Sequence, residues 1–175
     1  MTNRRVLAFD MDGVLCDGRF IPKLERTPER YAQADSRLNM AEVAEFNKIC
    51  TYHDVYVISS RHCSEATYVT RWWLDNEGLG PFAGVICNVM PKEKADLAKL
   101  LHATYLFDDN FQIICDCEAE GMAGVWCVPP NYMVRECFCR MAWCWKDILR
   151  YCQDLPGTLS YGPEQEELDL VISTN

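Results

Sequence analysis

Short apolar runs recur along the chain, and most of them end at a polar or turn-forming residue. They are Val6–Phe9, Val55–Ile58, Val85–Cys87, Thr104–Phe107 and Gly124–Val128. Their side chains are mainly β-branched, aromatic or otherwise apolar, without the polar alternation of a half-exposed strand. Continuous apolar runs of this length are typical of strands that are buried on both faces of a parallel sheet. The pattern therefore predicts a sheet of five parallel strands.

Between these runs, apolar residues recur at helical spacing and predict helices. The predicted helices are Met40–Cys50, Ser64–Glu77, Lys92–Leu101, Phe111–Glu120 and Val134–Gln153. Ser64 is suited to cap the second of them, and Gly78 to end it. Pro91 is suited to the first position of the third. Strands that alternate with helices predict an α/β fold, a three-layer sandwich around a central parallel sheet.

The chain length of 175 residues is typical of one domain with a substantial core. We expect residues 1–155 to form this domain and the acidic residues 156–175 to form a loose tail. Residues 18–39 are polar and lack a clear period, which predicts a small cap insertion over one edge of the sheet.

Acidic and hydroxyl side chains follow three of the predicted strands. They are Asp10, Asp12, Ser59, Asp108 and Asp109. In parallel sheets, functional groups collect just beyond the carboxyl ends of the strands, so these side chains are expected to meet at one edge. Clustered carboxylates stay ionised together when a cation lies among them, and hard oxygen ligands favour Mg²⁺. The sequence thus predicts a metal-dependent site for phosphoryl transfer.

Four segments resemble the ordered motifs of the haloacid dehalogenase superfamily. They are Phe9-Asp10-Met11-Asp12-Gly13-Val14, Ile58-Ser59-Ser60-Arg61, a lysine at Lys92 or Lys94, and Phe107-Asp108-Asp109-Asn110. A single Asp-x-Asp-Gly sequence is common in loops, but four elements in the expected order and context are specific. The resemblance extends from about Arg5 to Val128 and implies a Rossmann-like fold with a phosphatase activity.

The resemblance also implies roles for the first motif. Asp10 would be the nucleophile that forms an aspartyl-phosphate, and Asp12 would protonate the leaving oxygen and later deprotonate the hydrolytic water. Mg²⁺ would be held by Asp10, by the backbone carbonyl of Asp12, and by Asp108 or Asp109. Which of these last two carboxylates binds the ion directly stays open.

The remaining motifs would bind the phosphoryl group and the rest of the substrate. Ser59 would donate a hydrogen bond to a phosphoryl oxygen, and Lys94, preferred over Lys92, would neutralise charge there. The Ser59-Ser60-Arg61 segment resembles the phosphatase domain of polynucleotide kinases and some small nucleotidases. We therefore expect Ser60, Arg61, Lys92 and Arg30 to bind substrate, although each arginine could equally be a surface residue. Other residues of the insertion that could contact the leaving group are Lys23, Arg26 and Tyr31.

The sequence accordingly predicts a Mg²⁺-dependent phosphomonoester hydrolase that acts on a nucleotide or on the phosphorylated end of a nucleic acid. The direct alternative is a phosphatase of a sugar phosphate or another metabolite. A non-catalytic module that binds a ligand or partner is a rival, and phosphomutase activity is disfavoured by the small cap. The sequence makes no prediction of oligomeric state.

The net charge and the cysteine content restrict the expected cellular location and binding partners of the protein. The formal net charge of −9 argues against broad binding to duplex nucleic acid, and no apolar run is long enough to span a membrane. Eleven cysteines without an export signal predict reduced thiols in a cytoplasmic protein. A zinc module built from Cys115, Cys117, Cys137 and Cys139, with Cys144 and Cys152 nearby, is disfavoured by the single-residue spacing within each pair.

Overall fold

Six parallel strands form the single sheet of the computed structural model, which describes residues 4–18, 21, 25–129, 132 and 139–153. The strands are β1 (Val6–Phe9), β2 (Asp54–Ile58), β3 (Gly84–Ile86), β4 (Ala103–Asp108), β5 (Ala123–Cys127) and β6 (Arg140–Ala142). Their order across the sheet is β3-β2-β1-β4-β5-β6. The strand β1 therefore lies between β2 and β4, so the chain segments that follow these three strands are neighbours.

Helices cover both faces of the sheet. They are α1 (Pro28–Ala32), α2 (Met40–Tyr52), α3 (Ala66–Asn76), α4 (Lys94–Leu100), α5 (Phe111–Ala119) and α6 (Trp145–Gln153). A short 3₁₀ turn, Pro91–Glu93, leads into α4. In the described ranges, no helix has the length and apolar character that crossing a membrane requires.

The two faces of the sheet bury two separate apolar clusters. On one face, α2, α3 and α6 pack around aromatic rings, among which Phe9 and Phe107 stack with centroids 4.4 Å apart. On the other face, α4 and α5 pack against Ala8 and Leu106, which are fully buried. Since both faces are covered, the strands carry apolar residues at successive positions, and the predicted three-layer α/β sandwich is confirmed.

The predicted helix Val134–Gln153 is confirmed over Trp145–Gln153 and is wrong over the described residues 139–144. Arg140–Ala142 forms the edge strand β6, which pairs in parallel with Val125–Cys127, and α6 begins only at Trp145. The amide of Val128 donates to the carbonyl of Ala142 at 2.9 Å, which extends the pairing. Arg140–Ala142 begins with an exposed arginine and lacks the continuous apolar run of the other strands, so pairing with β5 decides its conformation.

The insertion between β1 and α2 contains one short helix that the sequence pattern did not predict. The helix α1 begins after Thr27, whose side chain accepts a hydrogen bond from the amide of Arg30. Trp73 of α3 donates its indole N–H to the carbonyl of Ala34 at 2.8 Å and so fastens the insertion to the domain. Ser64 does not cap α3, because the N-cap residue is Glu65, without a side-chain bond. The predicted tail, residues 156–175, lies outside the described residues.

The packing of α6 gives a test of the C-terminal part of the fold. Trp145 is 6% exposed and packs edge-on against Phe46 with centroids 5.6 Å apart, whereas Trp143 is 54% exposed. We expect Trp145→Ala to lower the free energy of unfolding by about 3–5 kcal/mol because it leaves a large cavity. Trp143→Ala, the matched control, should change it by less than about 0.5 kcal/mol. Denaturant unfolding measures both, and similar values would contradict this packing.

Candidate active site

A polar cavity of about 190 Å³ opens at the carboxyl ends of the central strands. It is lined by Asp10, Asp12, Gly18, Arg26, Tyr31, Ser60, Arg61, Pro91, Lys94, Asp108, Asp109, Asn110 and Ile113. Asp10 follows β1, Ser60 lies shortly after β2, and Asp108 is the last residue of β4. The amide of Asp10 donates to the carbonyl of Phe107 at 2.8 Å, which sets the register between the first and fourth motifs.

Lys94 joins two buried carboxylates at the bottom of the cavity. Its Nζ lies 2.7 Å from Oδ1 of Asp10 and 2.8 Å from Oδ2 of Asp108. The exposed fractions of these three residues are 2%, 6% and 0%. Two backbone amides support the carboxylates, because Met11 donates to Asp10 at 2.7 Å and Asn110 donates to Asp108 at 2.8 Å. The pair of carboxylates is therefore held rigidly, with one ammonium between them.

Burial and mutual repulsion control the ionisation of this cluster. Burial raises the pKa of Asp10 well above its usual range, Lys94 opposes the shift, and the carboxylates of Asp108, Asp109 and Asp12 add to it. Burial alone would lower the pKa of Lys94, but Asp10 and Asp108 raise it above its usual range. The two carboxylates thus stabilise the ammonium of Lys94, whereas a charge on Asp10 is costly without a further cation nearby.

Three carboxylates could hold a metal ion. One oxygen each from Asp10, Asp108 and Asp109 can be chosen so that all lie within 4.8 Å of one another, and in the described ranges this is the metal-competent group of His, Cys, Asp and Glu. Hard oxygen donors and strong mutual repulsion fit a small divalent cation such as Mg²⁺. The backbone carbonyl of Asp109 accepts a hydrogen bond from the indole N–H of Trp126 at 3.1 Å, and this contact supports the chain at Asp109.

Two glycines allow the carboxylates to approach the backbone of the first loop. Gly13 has φ +94°, and a Cβ at this position would overlap the Asp109 carboxylate. A Cβ on Gly18 would overlap the carboxylate of Asp12. The loop therefore needs glycine at both positions because side chains of the site itself, rather than a ligand alone, occupy the adjacent space.

The Asp12 side chain is not part of the metal-competent group and pairs with Arg61. The Nε atom of Arg61 lies 2.9 Å from Oδ2 of Asp12, and its Nη2 atom lies 2.7 Å from Oδ1. The Cys16 thiol contacts both partners, at 3.3 Å from Asp12 Oδ1 and 3.2 Å from Arg61 Nη2. Burial raises the pKa of this thiol above its usual range and Asp12 adds to the shift, so Cys16 is a neutral neighbour of the ion pair.

The structure separates the two candidate lysines and the candidate arginines. Lys94 lies in the site, while Lys92 is exposed and outside the cavity lining. Arg30 is also outside the lining, because its guanidinium pairs with Glu25 at 3.1 Å on the surface. Arg26 is the arginine from the insertion that lines the cavity. The spacing of these basic residues along the chain does not indicate which of them line the cavity.

The two serines of the second motif lie in different positions. Ser59 is fully buried, and its Oγ accepts a hydrogen bond from the amide of Arg61 at 3.1 Å, which shapes the loop after β2. Ser60 lines the cavity, and its buried Oγ has no hydrogen-bond partner among the described residues. Ser60 is therefore placed to contact a substrate, whereas Ser59 would have to share its hydroxyl group with the loop.

Sequence reasoning gave no function to Cys16, Asn110 or Trp126, which support the site. Asn110 could have been recognised in the sequence, because asparagine is a preferred residue just before a helix. Its side chain caps α5 by accepting a hydrogen bond from the amide of Gln112 at 3.0 Å. Cys16 and Trp126 read as ordinary apolar positions, and their contacts with the site depend on tertiary packing.

The described cysteines show neither a disulfide nor a zinc-like cluster. Cys117 is buried against the sheet, and Cys152 is buried in the core on the opposite face. Cys137 lies outside the described residues. The described cysteines that were weighed as zinc ligands are therefore distributed over both faces of the domain.

The chain matches no protein-family model and no curated protein. It resembles the crystal structure of the L-2-haloacid dehalogenase PA0810 at a TM-score of 0.55 and 12% identity, over 85% of this chain and 99% of that one. It also resembles the haloacid dehalogenase-like hydrolase SP0104 from Streptococcus pneumoniae at a TM-score of 0.53 and 13% identity, over 87% of this chain and 100% of that one. The fold is therefore that of haloacid dehalogenase-like hydrolases.

Metal binding at the three carboxylates can be measured without a substrate. A ligand that binds only the folded state at about a hundred times its Kd stabilises it by about 2.7 kcal/mol, or roughly 5–10 °C in Tm for this size. We expect MgCl₂ to raise the Tm of the wild type by this amount and to leave that of Asp108→Asn almost unchanged. Asp75→Asn, an exposed acid on α3, is the control and should respond like the wild type. Equal shifts in wild type and Asp108→Asn would contradict this metal site.

Proposed function

We propose that the protein is a Mg²⁺-dependent phosphomonoester hydrolase that works through an aspartyl-phosphate. The observation that carries this proposal is the buried arrangement of Asp10, Lys94 and Asp108 at the bottom of an open polar cavity. A carboxylate held next to an ammonium and a metal-competent acidic pair is suited to attack an electrophilic phosphorus whose oxygens carry negative charge. The four ordered motifs of the sequence support the same reaction, and the fold shared with haloacid dehalogenase-like hydrolases is compatible with it.

In the first step, an oxygen of Asp10 forms a bond to phosphorus as the bond from phosphorus to the leaving oxygen breaks. In the second step, water attacks the phosphorus of the acyl phosphate, which releases inorganic phosphate and regenerates Asp10. Lys94 neutralises negative charge on Asp10 and on the transferred phosphoryl group. Asp12 donates a proton to the leaving oxygen in the first step and accepts a proton from the attacking water in the second. Mg²⁺ bound by Asp10, Asp108 and Asp109 would supply further neutralisation of the phosphoryl oxygens.

Phosphate ester hydrolysis is favoured over the carbon–halogen cleavage of the similar dehalogenase. A halide leaves as an anion without a proton, so a dehalogenase does not need an acid two residues after the nucleophile. Here that position is Asp12, which lies at the cavity and is held in place by Arg61. The intact set of Asp10, Asp12 and Lys94 likewise argues against a non-catalytic binding module.

The proposed substrate is a nucleotide or the phosphorylated end of a nucleic acid strand. The support comes from the Ser59-Ser60-Arg61 segment and from the side of the cavity that the insertion provides, where Arg26 and Tyr31 lie. A guanidinium at the mouth of the cavity suits a second anionic group, such as the next phosphate of a strand. A sugar phosphate or another metabolite phosphate is the alternative substrate class.

The covalent mechanism predicts that Asp10→Asn abolishes phosphate release. We expect activity below about a thousandth of the wild-type value, because the amide oxygen is a poor nucleophile. The variant should remain folded, since burial already disfavours a charge at this position. Release of phosphate from a panel of monoesters with MgCl₂ measures activity, and circular dichroism checks the fold.

Asp75→Asn again serves as the control and should keep full activity. Substantial hydrolysis by a folded Asp10→Asn protein would refute the aspartyl-phosphate. A wild type that releases phosphate fully after exhaustive removal of divalent ions would refute the metal requirement.

The substrate class can be tested with two arginines of the same segment. Arg26→Ala should lower kcat/KM about tenfold or more for a short oligonucleotide with a terminal phosphate, and much less for p-nitrophenyl phosphate. The reason is that binding energy from the remote part of a substrate serves catalysis as well as affinity. Arg30→Ala is the matched control, because Arg30 pairs with Glu25 away from the cavity, and it should change neither substrate by more than about twofold.

Equal losses for both substrates in Arg26→Ala would mean that Arg26 acts on the phosphoryl group or on folding. If Arg26→Ala lowered kcat/KM for neither substrate, the insertion would no longer support a nucleotide or strand-end substrate, and a small metabolite phosphate would be favoured.

A further inference from the structure

The guanidinium of Arg61 is almost completely used by contacts within the protein. Its Nε–H and one N–H of Nη2 reach Asp12, the second N–H of Nη2 reaches Cys16, and Nη1 lies 3.4 Å from Oγ1 of Thr70. These contacts occupy four of the five N–H groups that an arginine carries. The side chain of Arg61 is 0% exposed, although the residue borders the cavity.

A planar face of the same guanidinium is covered by the insertion. The Cζ atom of Arg61 lies 4.5 Å from the centroid of the Tyr31 ring, and Tyr31 itself is 2% exposed. Cation–π contact of this geometry stabilises a cation that has lost its water. The helix α1 thus closes the side of Arg61 that its in-plane hydrogen bonds leave open.

A phosphoryl group could not gain two bonds from Arg61 without breaking the pair with Asp12. That pair is bidentate and largely buried, with Asp12 at 19% side-chain exposure. Bidentate arginine–carboxylate contacts fix the plane and rotation of the carboxylate as well as its charge. Asp12, two residues after Asp10, is therefore held in a fixed orientation by a residue whose donors are used almost entirely within the protein.

We propose that Arg61 is a positioning residue that holds the carboxylate of Asp12 for its part in the reaction, and that it is not a ligand of the phosphoryl group. This inference rests on the proposed function and replaces the role in substrate binding that the second motif suggests for Arg61. It also gives the insertion a part in the reaction, because Tyr31 holds Arg61 and Arg61 holds Asp12.

The first experiment compares turnover with phosphate affinity in Arg61→Met, a variant of similar length without donors. The kcat value for p-nitrophenyl phosphate should fall about tenfold to a hundredfold, because Asp12 loses its orientation. The inhibition constant for inorganic phosphate, measured with MgCl₂, should stay within about threefold of the wild-type value. Arg71→Met, an exposed arginine on α3, is the control and should change neither quantity.

A rise of the phosphate inhibition constant by about tenfold or more in Arg61→Met would overturn the proposal, since that is the loss expected for a charge-assisted contact. An unchanged kcat would overturn it as well. If Arg61→Met does not fold, Arg61→Lys provides the same two readings, because an ammonium keeps the charge but cannot form the bidentate contact.

A double-mutant cycle with Asp12→Ala separates action through Asp12 from direct action. If Arg61 works through Asp12, then Arg61→Met should cost less than about threefold in kcat when Asp12 is already absent. Losses that multiply in the double variant would show an independent role and overturn the proposal. The cycle is read with p-nitrophenyl phosphate, whose good leaving group keeps the residual rate of Asp12→Ala measurable.

The same four proteins distinguish failure of this inference from failure of the proposed function. A wild type that hydrolyses no phosphate ester refutes the proposed function, and thermal unfolding then decides whether Arg61 holds Asp12. The decreases in Tm of the two single variants should add up to more than the decrease in the double variant, because either substitution breaks the same ion pair. Strictly additive decreases would overturn the proposal without any reference to activity.

Discussion

The contact between one ammonium group and two buried carboxylates is the interaction on which the site depends. Asp10 and Asp108 come from neighbouring strands, and the register of these strands brings the two carboxylates to the same ammonium group. Without Lys94 the site would contain buried, uncompensated charge, and removal of one partner from a buried ion pair typically costs about 3–5 kcal/mol. The helix α4 begins with Lys94, so its position depends on the turn at Pro91 as much as on the sheet.

A second ion pair divides the first loop into two halves with different surroundings. Asp10 faces Lys94 and Asp108, whereas Asp12 faces Arg61 and the insertion. The glycines at 13 and 18 make this division possible, because each leaves room for a carboxylate next to the loop backbone. The two carboxylates of one short motif therefore pair with different cations, although only Met11 lies between them.

The layers of the fold and the acidic edge could be predicted from the sequence, because buried parallel strands and the chemistry at their ends leave strong local patterns. The strand β6 could not, since Arg140–Ala142 is not a continuous apolar run and pairing with β5 decides its conformation. Lys92 and Lys94 look alike in the sequence, and the 3₁₀ turn decides which one points inward. The pairing of Arg61 with Asp12 could not be predicted either, because 49 positions separate the two residues in the sequence.

The division of the loop has a consequence for how the site can change during evolution. The metal-competent carboxylates lie at the carboxyl ends of β1 and β4, and Lys94 begins α4, so the packed core positions all of them. Asp12 depends on Arg61 and, through Arg61, on Tyr31 of the insertion. A change in the insertion can therefore alter the orientation of Asp12 while the buried unit of Asp10, Lys94 and Asp108 stays intact.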